Sequence, residues 1–227
     1  MNIFEEIKSF DKRIENIRPK KNIDQAKLYS AGLSAKLNQC YFALHKLELL
    51  SVKDDHSTAS TAAEVIDIYA QVAFYCDTFC VFLYSSLDVL SQIINQIHQF
   101  GMDEHQVDFK QVLKNLSTNH IGTDLHNQFL KIEKSRAFKN LHKYRNCSVH
   151  RRQIYIQEET GSIRHTPGYS VSSTGPVPKI VRTLCDDPYD IRPKIIQNRI
   201  IPDYLEDLIN NIEKEIQNII KILPEGL

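Results

Sequence analysis

TDLHNQFLKIEKSRAFKNLHKYRNCSVHRR, residues Thr123 to Arg152, is the stretch around which the chain is organised. It reads as one helix, capped by Thr123 or Asp124, with positive charge concentrated in its second half. Lys131, Lys134, Arg136, Lys139, Lys143, Arg145, Arg151 and Arg152 stand against the single acid Glu133. His142 and His150 share the segment, which ends in Arg145-Asn146-Cys147-Ser148-Val149-His150. An imidazole beside a guanidinium in a basic field suits cleavage of a phosphodiester. Arginine clamps two phosphate oxygens and stabilises growing charge, and histidine moves a proton near neutral pH. On a continuous helix Asn146 and His150 stack at i and i+4, while Arg145 lies roughly 140° from His150. A long arginine side chain, or a loosened helix end, brings the fork round to the same face.

The rest of the chain reads as scaffold. Lys plus Arg equals Asp plus Glu at 28 each, so net charge points to no partner. The distribution does: from Asp54 to Phe109 there is no Lys or Arg, whereas Asp54, Asp55, Glu64, Asp67, Asp77, Asp88, Asp103, Glu104 and Asp108 are acidic. Nucleic acid would therefore meet the segment after Lys131. A hydrophobic content of 42% with 25% charge is that of a globular protein with room for a core. Cys40, Cys76, Cys80, Cys147 and Cys185 are widely spaced with no CxxC pair, so they read as buried thiols in a reducing cytoplasm. MNIFEEIKSFDKR lacks the apolar core of a signal peptide, and the apolar run Val72 to Tyr84 holds Asp77 and reads as a buried helix rather than a membrane span.

Periodicity predicts mainly helix. Ile3 to Ile17 is helical and stops at Pro19; Asp24 caps a second helix through about Leu50, with Leu28, Leu33, Leu37, Cys40, Tyr41, Leu44, Leu47 and Leu50 inward. A third, long helix runs from about Thr61 toward Phe100, bent near Ser85-Ser86 if anywhere, with Asp77 and Asp88 as polar exceptions on an apolar surface. Val107 to Leu116 reads as a short helix. RQIYIQEETGSIRHT alternates around a Thr-Gly turn like a hairpin, and a further strand lies in YSVSSTGPVPKIVRTL. Asp203 opens a last helix whose Leu205, Leu208, Ile209, Ile212, Ile216, Ile219, Ile220 and Leu223 form a wide apolar stripe. The expected architecture is an antiparallel helical bundle in one domain over 1–227. It has an N-terminal helix extension (1–23), a small β-containing insertion (153–200) and a closing helix (203–223).

Other chemistries find little support. The nine histidines are scattered without HExxH, no phosphate-cradling glycine loop is present, and no Ser or Cys triad signature surrounds Ser34, Ser148 or Cys147. No metal site and no cofactor is expected. Lys139, Lys143, Arg151 and Arg152 are the candidate RNA contacts, together with Tyr144 as a base-stacking ring; Tyr155 is a further aromatic of that kind. Lys179, Arg182, Arg192 and Arg199 form a second basic set.

Phe138 to Asn146, FKNLHKYRN, followed by Val149-His150, resembles the signature of HEPN domains: an arginine, a polar residue and a histidine four to six residues beyond the arginine. The helix holding Tyr84 to Leu90 resembles the one that packs against the motif in that family. The resemblance covers roughly residues 24–152 and the last helix. It implies a metal-independent endoribonuclease acting as a homodimer, with a composite site at the dimer interface. The setting implied is a toxin–antitoxin, phage-defence or RNA-processing system, with an antitoxin or regulatory protein as a further partner and no membrane. Carried onto this chain, Arg145 would hold the scissile phosphate, Asn146 would position, and His150 would be the general acid or base. Asp88 or Asp77 would support them from the neighbouring helix. The alternative implied by degenerate family members is a non-catalytic module that binds RNA or protein through the same helix.

Overall fold

A computed structural model describes residues 2–16, 20–53, 62–150, 156–160, 163–164, 180–184 and 199–223. The chain is mainly helical: α1 (Ile3–Arg13), α2 (Lys20–Lys53), α3 (Ala62–His98), α4 (Phe109–Asn119), α5 (Asp124–Lys134), α6 (Arg136–His150) and α7 (Ile201–Ile222). It divides into two compact units. The first holds Met1–Gln39, Phe82–Lys139 and Ile209–Leu227; the second holds Cys40–Val81 and Asn140–Leu208.

In the first unit α1 starts where Asn2 accepts the Phe4 N–H at 3.1 Å, satisfying one of the amides that every helix start leaves orphaned. The α-helix ends at Arg13, and Ile14–Asn16 continues as a 3₁₀ turn, so the regular helix is shorter than its apolar period predicts. Arg13 donates to the Ile220 carbonyl at 2.7 Å and the Lys221 carbonyl at 3.5 Å, and so caps the C-terminus of α7. It also meets Glu6, which is buried, at 3.4 Å.

The second helix begins at Lys20, four residues before Asp24, which the sequence reading took as its cap. Its buried stripe runs through Ile23, Ala26, Ser30, Leu33, Leu37, Cys40, Leu44, Leu47 and Leu50. Leu28 (66% exposed) and Tyr41 (36% exposed) were expected inward and are not. Five residues before Leu33 and one after Cys40, they fall well off the stripe at about 100° per residue.

The third helix, α3, is continuous from Ala62 to His98 with no break at Ser85-Ser86. Ser86 and Ser91 are buried and return their hydroxyls to the carbonyls of Leu83 and Leu87 at 2.7 and 2.9 Å, which satisfies them within the helix. Asp67–His98 is long and apolar enough to cross a membrane by length and composition, a criterion the core helix of a soluble bundle also meets. Here Ala73, Cys76, Phe79, Cys80, Leu83, Leu87 and Leu90 are fully buried in protein.

Thr123 caps α5 by accepting the His126 N–H at 3.3 Å. The expected single basic helix from Thr123 is in fact two. Ser135 is extended (ψ 147°) and its hydroxyl accepts the Phe138 N–H at 3.0 Å, so it ends α5 and caps α6 at once. Phe138 then stacks on Tyr84 with centroids 5.9 Å apart and on Phe109 at 4.8 Å. Lys131, a candidate for the basic track, is held by Glu215 at 3.0 Å. The stripe of α7 in this unit, Ile209, Ile212, Ile216, Ile219, Ile220 and Leu223, is buried throughout.

In the second unit the backbone of β1 (Ile156–Thr160) pairs antiparallel with β2 (Ile163–Arg164) and β3 (Ile180–Leu184), and β3 pairs with β4 (Arg199–Ile200). The sheet order is β2-β1-β3-β4. Backbone runs directly from β4 into α7, two residues before the Asp203 start that was expected, with Pro202 in the first turn where a missing N–H costs nothing. Ile201, Tyr204, Leu205 and Leu208 are its buried residues in this unit.

Candidate active site on helix α6

Helix geometry decides which residues of α6 reach solvent. In the second unit, Leu141, Tyr144 and Cys147 are buried at spacings of three, and the residues between them, His142, Lys143, Arg145 and Asn146, are half-buried, as is Ser148. Tyr144 corrects the sequence reading. It is fully buried, its ring centroid 6.1 Å from that of Tyr204, so it is a core residue and presents no face for a base to stack on. Asn140 anchors the same tyrosine pair by donating to the Tyr204 hydroxyl at 3.1 Å.

The arginine and asparagine of the motif meet directly. Although adjacent residues on a helix point about 100° apart, the long Arg145 side chain curls round so that its Nη1 donates to Asn146 Oδ1 at 3.0 Å. The other end of that amide faces His142: Asn146 Nδ2 lies 3.1 Å from His142 Nε2 and 3.5 Å from Nδ1. A guanidinium only donates, so the amide oxygen must face Arg145, and the nitrogen faces the His142 ring. His142, Asn146 and Arg145 thus lie in contact one after another, the amide between ring and guanidinium. The first of them was noted as part of the segment but not as a site residue. The signal was present, because His142, Asn146 and His150 recur every four residues and so share a helix face.

The residues around the motif are tied down from α3. Ser148 donates to Asp77 Oδ1 at 2.6 Å, a short bond of the kind a charged acceptor makes. Behind Asp77 lie the fully buried thiols of Cys76 and Cys80. Burial first, and then the Asp77 charge, push the Cys76 thiol well up; burial does the same for Cys80, aided by Cys76, Asp77 and Cys40. Both stay protonated and unreactive at physiological pH. Cys40, Cys76, Cys80 and Cys147 are all buried thiols outside any disulfide. Asp88, by contrast, belongs to the first unit, where it accepts the Phe109 N–H at 3.1 Å at the start of α4.

Lys139 is exposed and Lys143 half-buried. The backbone of His150 is the last residue of α6, while its side chain lies outside the described residues, as do Arg151, Arg152, Tyr155, Lys179, Cys185 and Arg192. Among the described residues no three His, Cys, Asp or Glu side chains gather in a way that could hold a metal ion. Chemically, the half-exposed guanidinium beside an amide and an imidazole can bind an anionic oxygen and orient it.

Residues 29–223 match the family model described as Cthe2314-like HEPN. The match begins in α2, runs to the end of α7 and passes through residues 153–200; it leaves α1 outside. No curated protein and no solved structure matches the chain.

Proposed function

The chain belongs to the HEPN family, and from that premise we propose that it is a metal-independent endoribonuclease with its site on α6. The observation that carries this reading is the half-buried Arg145 held against Asn146 at 3.0 Å, with His150, the last residue of α6, four residues beyond the asparagine in sequence. In the proposed reaction the ribose 2′-oxygen attacks phosphorus and the bond from phosphorus to the 5′-oxygen breaks. Arg145 holds the phosphate oxygens as negative charge grows on them. A base takes the 2′-hydroxyl proton and an acid returns one to the leaving 5′-oxygen, His150 serving one of these roles. The products are a 2′,3′-cyclic phosphate and a 5′-hydroxyl, and no water enters this step.

Lys139 and Lys143 are proposed as phosphate contacts, and Arg151 and Arg152 continue the basic run past the helix end. Asp77 is proposed as the supporting acid, through its bond to Ser148. Dimerisation with a second copy, bringing two motifs into one cleft, is supported by large apolar side chains left exposed in the unit that carries the motif. These are Phe42 (56%), Leu49 (45%), Phe74 (63%) and Val149 (49%). A cytoplasmic setting in toxin–antitoxin or phage-defence systems, and the β-containing stretch 153–200 as an elaboration of one helical domain, belong to the same reading.

The test separates turnover from affinity. His150→Ala should abolish cleavage of RNA and leave RNA binding within about threefold, since one phosphate-track residue is worth less than the whole basic surface. A wild type that binds RNA and releases no product would instead mark a binding module.

A further inference from the structure

We propose that His142 is the second proton carrier of the reaction, serving the oxygen that His150 does not; this rests on the ribonuclease reading above. Cleavage by the 2′-oxygen needs a base at one oxygen and an acid at the other, and a single imidazole starts the step in one protonation state only. Among the described side chains of α6, His142 is the one of a type that titrates between about pH 5 and 8. Other proton-bearing groups beside the motif are closed off. Tyr144, Cys147, Cys76 and Cys80 are buried, the last two with thiols pushed well up, and Asp77 holds the Ser148 hydroxyl at 2.6 Å.

The ring stands about one phosphate's width from the guanidinium. His142 Nε2 and Nδ1 are 3.1 and 3.5 Å from Asn146 Nδ2, and Asn146 Oδ1 is 3.0 Å from Arg145 Nη1. An amide measures about 2.3 Å from nitrogen to oxygen, which puts both ring nitrogens within about 8–9 Å of Nη1. A phosphate whose oxygens lie about 2.5 Å apart, hydrogen-bonded on each side at about 2.8 Å, spans about 8 Å. One phosphate can therefore be gripped by Arg145 and meet the half-buried His142 ring at a second oxygen, whichever ring nitrogen carries the proton. As the 2′-oxygen bonds to phosphorus, its proton passes to the neutral imidazole of one histidine. As the bond from phosphorus to the 5′-oxygen breaks, the imidazolium of the other gives its proton to that oxygen. The two rings leave the step with protonation states exchanged, and exchange with water restores them.

Loss of one proton carrier corresponds to a kcat about a hundredfold or more lower. His142→Ala and His142→Gln, folded as judged by circular dichroism, should both show it, with RNA affinity within about threefold of wild type. Glutamine can still hydrogen-bond the Asn146 amide but carries no proton at neutral pH, so wild-type turnover in His142→Gln would overturn the proposal. A second arm uses RNA with sulfur in place of the 5′-oxygen at the cleaved linkage, since a thiolate leaves without an acid. Of His142→Ala and His150→Ala, sulfur should restore turnover to within about tenfold of wild type in the one that has lost the acid and leave the other impaired. Rescue of both, or of neither, would contradict the division of roles. A wild type that cuts no RNA sinks the ribonuclease reading and the proposal with it; a wild type that cuts, beside a fully active His142→Gln, sinks the proposal alone.

Discussion

The bond from Ser148 to Asp77 ties α6 to α3 two residues before His150, and its strength can be worked from the structure. At 2.6 Å a hydroxyl meets a carboxylate, and a hydrogen bond to a charged group contributes about 1.5–3 kcal/mol net when buried. Both residues are half-buried, so solvent competes and about 1–2 kcal/mol is expected. Single substitutions mix this value with others, because Asp77 has further interactions beyond Ser148. A double-mutant cycle removes them. Urea unfolding of wild type, Ser148→Ala, Asp77→Asn and the double variant should give a coupling of about 1–2 kcal/mol between the two sites. On the ribonuclease reading Ser148→Ala also lowers kcat, since the helix end carrying His150 loses an anchor. A coupling under about 0.3 kcal/mol, the level of ordinary additivity between independent sites, would refute the reasoning and leave the bond a surface contact.

Three further outcomes follow from the structure. Burial, and then His120, hold the His98 imidazole down at about 4, and its ring stacks on Phe100 at 5.8 Å. As pH falls below the unfolded value of about 6.5, the unfolded chain takes the proton first, so stability is lost between about pH 6.5 and 4 and is intact above that window. The interval bounds the loss at about 3 kcal/mol, and the ring's partial exposure lowers it to about 1–2 kcal/mol; His98→Phe should flatten that part of a stability–pH curve. Gly32 sits within α2 and a Cβ there would meet Val89 at an ordinary 3.7 Å, so Gly32→Ala should raise stability by about 0.5–1 kcal/mol in urea. Tyr144 is core, so Tyr144→Phe should leave RNA affinity unchanged in a fluorescence titration, whereas Tyr144→Ala should cost about 3–5 kcal/mol of stability.

How much of this was legible in the sequence depended on whether one residue type could be read in only one way. The stripe of α7 was legible in full, because leucines and isoleucines at spacings of three and four have no other economical explanation, and all eight are buried. The length of α3 was legible for a similar reason, the absence of proline and glycine before Gly101. Ser135 was not, because a serine inside a helical period is read as tolerated until its hydroxyl is seen to accept the Phe138 N–H. Tyr144 was ambiguous in principle: an aromatic beside a basic motif suits base stacking and core packing equally, and its place on the Leu141–Cys147 face decides for the core. Asp77 and Asp88 could be named as polar exceptions, but their partners, Ser148 and the Phe109 amide, are 71 and 21 residues away and no local pattern announces them. At the motif the sequence supplied the arginine, asparagine and histidine. That the His142 ring lies against the Asn146 amide was not read from it, although a spacing of four residues allows the contact.

The most direct test of the central claim is an end-group analysis of RNA incubated with the purified protein in excess chelator, beside Arg145→Ala and His150→Ala. The account predicts fragments with 2′,3′-cyclic phosphate and 5′-hydroxyl ends from wild type and none from either folded variant. Fragments ending in a 3′-hydroxyl and 5′-phosphate, or cleavage that persists in both variants, would contradict it.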